Sequence, residues 1–507
     1  MFDLIRRPDF FRVEYDGDIN DCTVEFEING RTLEIYLTAV KSEPRFVYLR
    51  WNVNIPQSAL VLGDKWERSY GDLEWRHPDC ESFYPWYILI SEDDNTCGVG
   101  VKVRPASFVS FECDPAGVTA RFDVRNGSRG VKLNGRRLLA ASVVNESYEG
   151  ISAFEAAKRF CRVMCTDPAL PSFPVYGSNN WDYAYGKSSR EDILKDARLI
   201  AELTEGLENR PFMVIDDGWT ASNCTGPWLP GEHFGDMESL AKEFKDMGVR
   251  PGIWVRPLDD EKEMALHPDR CIKDEGKRCD PHLDPTHPEV KEYIRGFLRR
   301  IKSWGYELVK HDFTSFDLFG LWGKEMGGFV NEQRECRFYD ETVTNAEVVT
   351  GLYGLIREET EGMIIIACNT FSHLAAGLAE LARTGDDTSG RNWAVTRKMG
   401  VNTLGFRIAQ NGAFYMADAD CVGILGKNIP WSLNKQWLEL LAKSGTPLFV
   451  SAQPDIIDEE QKRDLKAAFA AASVQTYEAE PLDWQINKYP AQWKINGETV
   501  SFDWYKA

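Results

Sequence analysis

Two patterns of apolar and polar positions divide the chain. Through residues 1–170 they alternate in short runs, CTVEFEI, RTLEIYLTAV, FVYLRWNV, WYILI, CGVGVKV, FVSFEC and VTARFDV. Turn-forming Asp, Gly, Pro and Asn separate them at intervals of about ten residues. A period of two puts every second side chain on one face, so these runs predict antiparallel strands stacked as a sandwich. A helix over Ala153–Met164 and the proline-bearing stretch TDPALPSFP then mark a boundary.

From Val175 onward the texture changes. Short unalternating runs (PVYGSN, FMVIDD, RPGIWV, ELVKHD, MIIIAC) are separated by long amphipathic stretches such as SREDILKDARLIAELTEG and HPEVKEYIRGFLRRIKSWG. Strands that are apolar throughout, with helices between them, indicate a parallel sheet covered on both faces. LARTGDD, AFYMAD and TPLFVS continue the series to eight strands, which predicts a (β/α)8 TIM barrel over residues 171–475. The rival, an open doubly wound sheet, normally carries a glycine-rich phosphate turn after its first strand, and YGSNNWDYAYG is not one. A last helix over Glu459–Ala472 precedes a small C-terminal β-appendage, residues 476–507.

At 507 residues the chain is roughly three times a typical ~150-residue domain, in keeping with this division. With 59 Lys+Arg against 79 Asp+Glu, the net charge of −20 disfavours nucleic acid and anionic membranes as partners and suits neutral ligands. No apolar run approaches membrane-spanning length, and the opening MFDLIRRPDFFRVEYDG lacks the apolar stretch of an export signal. A cytoplasmic location is the expectation. The 12 cysteines, from Cys22 to Cys421 and including Cys279, form no CxxC pair and no His–Cys zinc spacing, so they are expected to be reduced and mostly buried. The 16 tryptophans suit either a core or a sugar-binding wall.

In a barrel the chemistry sits where the strands end. Here the ends carry Asn179, Asn180 and Trp181; Asp216, Asp217 and Trp219; Trp254 and Arg256; Lys310, His311 and Asp312; Cys368 and Asn369; Arg383, Asp386 and Asp387; and Asp418 and Asp420. Carboxylates at four ends, with tryptophans and a lysine among them, point to glycoside chemistry. One carboxylate attacks or stabilises an oxocarbenium-like carbon, and a second carboxyl protonates the leaving oxygen.

The strings VIDDGW, WGYELVKHD and RTGDDTSGRNW, with LDPTHPEV between the first two, resemble the retaining α-galactosidases of glycoside hydrolase clan D. The resemblance covers about Pro174 to Gln475. The N-terminal sandwich is similar to family 36, whereas RTGDDTSGRNW, MADADCVG and SGTPLFVSAQPDI are closer to family 27. The resemblance implies Asp312 as nucleophile and Asp387 as general acid/base. Asp386 is the neighbour most easily confused with Asp387. It also implies Asp216 and Asp217 as acceptors for the sugar's 4- and 6-hydroxyls, Lys310 as a donor to O3 and O4, Trp181 against the ring, and Arg383 reaching toward O2 while orienting the acid/base. Trp254 is a candidate pocket wall. No cofactor or metal is called for, and self-association is left open.

Physical chemistry adds to these assignments. Lys310, two residues before Asp312 on a strand, faces the same side and favours its ionised form. Asp387 must be protonated at rest, so burial or the Asp386 charge is expected to raise its pKa. His311 should point to the opposite face.

Three departures from the family bear on the substrate. Cys368-Asn369-Thr370 stands where family 27 has a Cys-Glu-Trp turn, so Asn369 is expected to meet the C2 substituent. Arg256 stands where family 36 has a glutamate, and is expected at the rim facing a charged or extended aglycone. The C-terminal β-region is also short. The α-galactosidase reading therefore competes with an α-N-acetylgalactosaminidase, a β-L-arabinopyranosidase, a transglycosylase and, from another class, a catalytically silent carbohydrate-binding protein.

Overall fold

Alternation along Thr32–Thr38 turns Leu33, Ile35 and Leu37 fully inward, and the same period recurs through the N-terminal strands. The computed structural model of the protein describes residues 2–274, 281–331, 335–426, 428–474 and 477–506; Cys279 lies outside them. A five-stranded sheet runs Phe10–Asp16, Glu43–Asn52, Gly117–Asp123, Phe108–Asp114, Asp79–Pro85 in hydrogen-bonding order. A six-stranded sheet runs Thr23–Asn29, Thr32–Thr38, Leu138–Glu149, Asn95–Val101, Tyr87–Glu92, Leu60–Gly63. All pairings are antiparallel. Val47, Leu49, Phe111 and Phe122 of one sheet join Leu33, Ile35, Val99 and Val143 of the other in one core cluster. The helix Ala153–Met164, capped by Ser152, lays Phe160 and Met164 against Gly98 and Gly100 of the second sheet.

The second part of the chain builds a nine-stranded parallel sheet. Its order runs Met416–Asp418, Leu381–Arg383, Ile364–Ala367, Leu308–His311, Arg250–Val255, Phe212–Ile215, Tyr176–Asn179, Leu448–Ala452, Cys421–Ile424. The two outermost strands are consecutive in the chain, with only Ala419 and Asp420 between them. The ribbon therefore begins and ends on one interrupted stretch. The sequence pattern suggests a single strand here. The chain breaks at Asp420, whose φ of 69° lies in the left-handed region that non-glycine residues seldom enter.

Alternate residues of these strands face two different cores. Phe212, Val214, Leu308, Ile366, Leu381 and Phe449 form a small cluster enclosed by the sheet. Met213, Ile215, Val309, Ile365 and Ala367 pack outward with the surrounding helices, among them Arg190–Leu203, Pro288–Ser303 and Asn345–Glu359. Three short antiparallel strands, Ala479–Pro481, Gln492–Ile495 and Glu498–Ser501, end the chain. Among the described residues no helix is long and apolar enough to cross a membrane.

The segment leaving Leu60–Gly63 runs along the C-terminal edge of the parallel sheet. Ser69 N–H donates to the Thr384 carbonyl at 2.8 Å. Buried Asp64 pairs with buried Arg407 at 2.7 Å and accepts Gln410 Nε2 at 2.9 Å. Arg407 Nη1 also reaches the Thr384 carbonyl at 3.2 Å. Removing one partner of such a pair leaves a charge stranded in the interior. Arg407→Met is therefore expected to destabilise the protein by about 3–5 kcal/mol. Urea unfolding followed by tryptophan fluorescence checks this, and an unchanged midpoint would remove the pair from the docking of the two parts.

Candidate active site

Strand parity decides which side chains reach the mouth of the sheet. Val214 and Leu308 face the enclosed cluster, so Asp216, Lys310 and Asp312, two and four residues on, point the same way. His311 faces outward, its ring 5.5 Å from that of Tyr353, and burial pushes its pKa down to about 4. Local backbone sharpens the aim. Phe313, directly after Asp312, has a φ of 62°, which turns the chain sharply off the strand. Gly218 follows Asp217 with a φ of 101°, and a Cβ there would sit 2.5 Å from the Gly186 carbonyl oxygen. Only glycine fits.

These strand ends surround a cavity of about 350 Å³, within the range of small-ligand sites. Lys310 Nζ donates to Asp216 Oδ2 at 2.7 Å, and Asn179 Nδ2 donates to the same oxygen at 2.6 Å. Asp217 Oδ1 accepts the Gly218 and Cys224 backbone N–H groups, both at 2.7 Å. Burial pushes the Asp217 carboxyl up, and those two donors only partly offset it.

Asp312 and Asp387 each receive an indole N–H. Trp254 Nε1 donates to Asp312 Oδ2 at 3.1 Å, and Trp181 Nε1 donates to Asp387 Oδ2 at 3.2 Å. Burial pushes the Asp312 carboxyl up, but Lys310, Arg68, the Trp254 indole and the Phe313 N–H together hold it below the usual range. Asp387 departs from expectation. Burial pushes it up too, yet Arg383, Arg68 and Lys310 outweigh this and bring it down to about 2. Arg383 Nη2 lies 3.1 Å from Asp387 Oδ1, and its Nη1 lies 3.0 Å from Asp420 Oδ1. The Asp386 charge expected to raise its neighbour is engaged by Arg68, 2.9 Å away.

Of the residues singled out from sequence, Trp181, Asp216, Asp217, Trp254, Lys310, Asp312 and Asp387 line this one cavity. Arg383 stands behind Asp387. Asn369 does not line the cavity: it is fully buried, its Nδ2 donating to Glu67 at 2.9 Å and its Oδ1 lying 2.7 Å from the Ser315 hydroxyl oxygen. Arg256 is likewise not a rim residue, since its guanidinium forks onto buried Asp317 at 2.7 Å and approaches Asp259 at 3.4 Å. Most tryptophans are core, Trp51, Trp86, Trp219 and Trp437 being fully buried.

Sequence reasoning missed Arg68, Tyr70, Trp322 and Lys324, all of which line the cavity. It also missed Asp182, a buried carboxyl pushed well up by burial and by the nearby Asp420 and Asp387 charges. The only signal for Asp182 was its place one residue after Trp181.

No protein-family model matches the chain. The α-galactosidase AgaA of Geobacillus stearothermophilus is 31% identical over 132 residues, 23% of this chain. That stretch spans only 17% of the relative's length. Among solved structures, the Thermus thermophilus α-galactosidase TtGalA in complex with p-nitrophenyl α-D-galactopyranoside superposes with a TM-score of 0.63 at 15% identity, over 93% of this chain and 99% of that one. The family 36 α-galactosidase AgaA of Geobacillus stearothermophilus gives a TM-score of 0.60 at 16% identity, over 93% and 74%. The α-galactosidase from Lactobacillus brevis gives 0.60 at 12%, over 95% and 72%. In sequence over part of its length and in fold over nearly all of it, the chain resembles the α-galactosidases of glycoside hydrolase family 36.

Proposed function

We propose that the protein is a retaining exo-acting α-glycosidase that cleaves terminal α-galactosides, working at the mouth of a (β/α)8 barrel whose seventh strand is the interrupted one. The observation that carries this reading is the pair Asp312 and Asp387, facing one cavity with an indole donor on each. The likeness to α-galactosidases in sequence and fold supports the same class. Asp312, held ionised, attacks the anomeric carbon as the glycosidic bond breaks, and Asp387 gives its proton to the leaving oxygen. Asp387 then takes a proton from water, which attacks the glycosyl ester and frees Asp312. Asp216, Asp217 and Lys310 read the sugar's O4 and O6. Asn369, fully buried and outside the cavity lining, takes no part in reading C2.

Asp312→Asn should abolish turnover. Asp387→Ala should keep its first step on nitrophenyl galactoside and be accelerated by azide, which replaces the water that Asp387 activates. Proton NMR during hydrolysis should show α-galactose forming first, and the β-anomer first would mean inversion.

The low pKa of Asp387 sets a pH signature. On its own the protein holds it ionised at neutral pH, so its acid form must be favoured in the complex, where bound sugar deepens the burial that already raises it. The pH dependence of kcat/KM reports the free enzyme and that of kcat the complex. The alkaline limb of kcat is therefore expected at higher pH than that of kcat/KM. Coincident limbs would exclude Asp387 as the donor.

Hydrogen bonds to charged groups are worth about 1.5–3 kcal/mol, and a buried charge left without its partner costs at least as much. An axial O4 that satisfies the Asp216–Asp217–Lys310 cluster should give nitrophenyl α-galactoside about a hundredfold or greater advantage in kcat/KM over the α-glucoside. Equal rates would remove these three residues from sugar recognition.

A further inference from the structure

The residues that bring the sandwich to the cavity touch both sides of the reacting pair. Glu67 carries a fully buried carboxyl group, which burial pushes up and the neighbouring Arg68 charge and its donors only partly hold back. It accepts the Ser315 hydroxyl, Asn369 Nδ2 at 2.9 Å and the Gly323 N–H at 2.7 Å. Ser315 lies three residues beyond Asp312, and Asn369 ends the neighbouring strand. On the other side Arg68 Nη2 meets Asp386 Oδ1 at 2.9 Å, and Ser69 N–H donates to the Thr384 carbonyl at 2.8 Å. Tyr70 ties the two ends together: its hydroxyl donates to Glu67 Oε1 at 2.6 Å and accepts from Arg68 Nε at 3.4 Å.

We propose that Glu67–Tyr70 is a strut from the sandwich that sets the gap between the Asp312 and Asp387 carboxyls, with Arg68 the positioning residue that holds the Asp386–Asp387 turn. The inference rests on Asp312 and Asp387 being the reacting pair. Without such a role a carboxyl group this deep is a liability, since each polar atom it takes out of water must find a partner. Here its donors come from the nucleophile's side of the pocket and from the strut itself. Moving either end would strand Glu67 or Arg68 without partners, so the arrangement is stiff. The Arg68 charge also helps to hold both reacting carboxyls low.

A general acid out of place matters most where the leaving group needs its proton. General acid–base groups contribute about 10²–10⁴-fold, and an activated phenolate leaving group forgoes much of this in the first step. Arg68→Met, assayed in the full chain, should therefore lose about tenfold or more in kcat/KM on raffinose beyond its loss on p-nitrophenyl α-galactoside. Asp386→Asn should give the same selective loss, the double variant should be no worse than either single one, and azide should rescue none of them. Glu67→Gln, which weakens the other end, should show the same selectivity. Should Arg68→Met fail to fold, Asp386→Asn carries the test, because its side chain is 33% exposed and its replacement disturbs little. A mere docking role for Arg68 would lower both substrates equally, and that result, or additive losses, overturns the strut. Azide rescue of Asp386→Asn would instead make Asp386 the acid/base. Wild-type protein that cleaves neither substrate would overturn the hydrolase reading itself, leaving no pair for the strut to space.

Discussion

The pocket concentrates carboxylates, and the structure depends on the few cations buried among them. Asp216, Asp217, Asp312, Asp386 and Asp387 all face one cavity. Left alone, so many ionised groups in a poorly solvated space would repel one another and take up protons. Lys310 sits against Asp216, Arg383 bridges Asp387 and Asp420, and Arg68 closes on Asp386. Each cation comes from a different part of the chain: the strand Leu308–His311, the strand Leu381–Arg383 and the segment that follows Leu60–Gly63. The electrostatics of the site thus require both halves of the molecule to be docked before the pocket is complete.

That dependence explains what the sequence disclosed and what it hid. Strand parity is local, so Lys310 and Asp312 on one face with His311 on the other followed from a period of two alone. The strand-end aspartates and the interior of the sandwich were legible for the same reason, because each is encoded within a few residues. Arg68 and Glu67 lie in an irregular segment with no periodicity, and their partners are some three hundred residues away. Nothing local marks them. The misplacement of Asn369 has the same origin, since only docking of the segment that carries Glu67 shows what covers the end of the fifth strand. Asp387 was expected to be raised by its neighbour's charge. The cation that neutralises that neighbour arrives from the other end of the chain, so the sign of the effect was not available from the stretch RTGDD.

The indole donors make a related point about aromatic residues. Abundance of tryptophan says little, as most of them fill the cores. Trp181 and Trp254 matter through their N–H groups, each aimed at a carboxylate that also faces the cavity. A ring that supplies both an apolar wall and a fixed donor orients a carboxylate without adding a charge, which suits a site already crowded with charge.

The break at Asp420 has a consequence for how the sheet tolerates changes of length. In a continuous strand, adding or removing one residue inverts every side chain beyond it. Here, among the described residues, Met416–Asp418 pairs only with Leu381–Arg383 and Cys421–Ile424 only with Leu448–Ala452, so the register on each side is fixed by a separate neighbour. The two residues between them, Ala419 and Asp420, form a seam at which a change of length leaves the facing of both strands unaltered. Every other strand of the sheet, among the described residues, is locked to two partners.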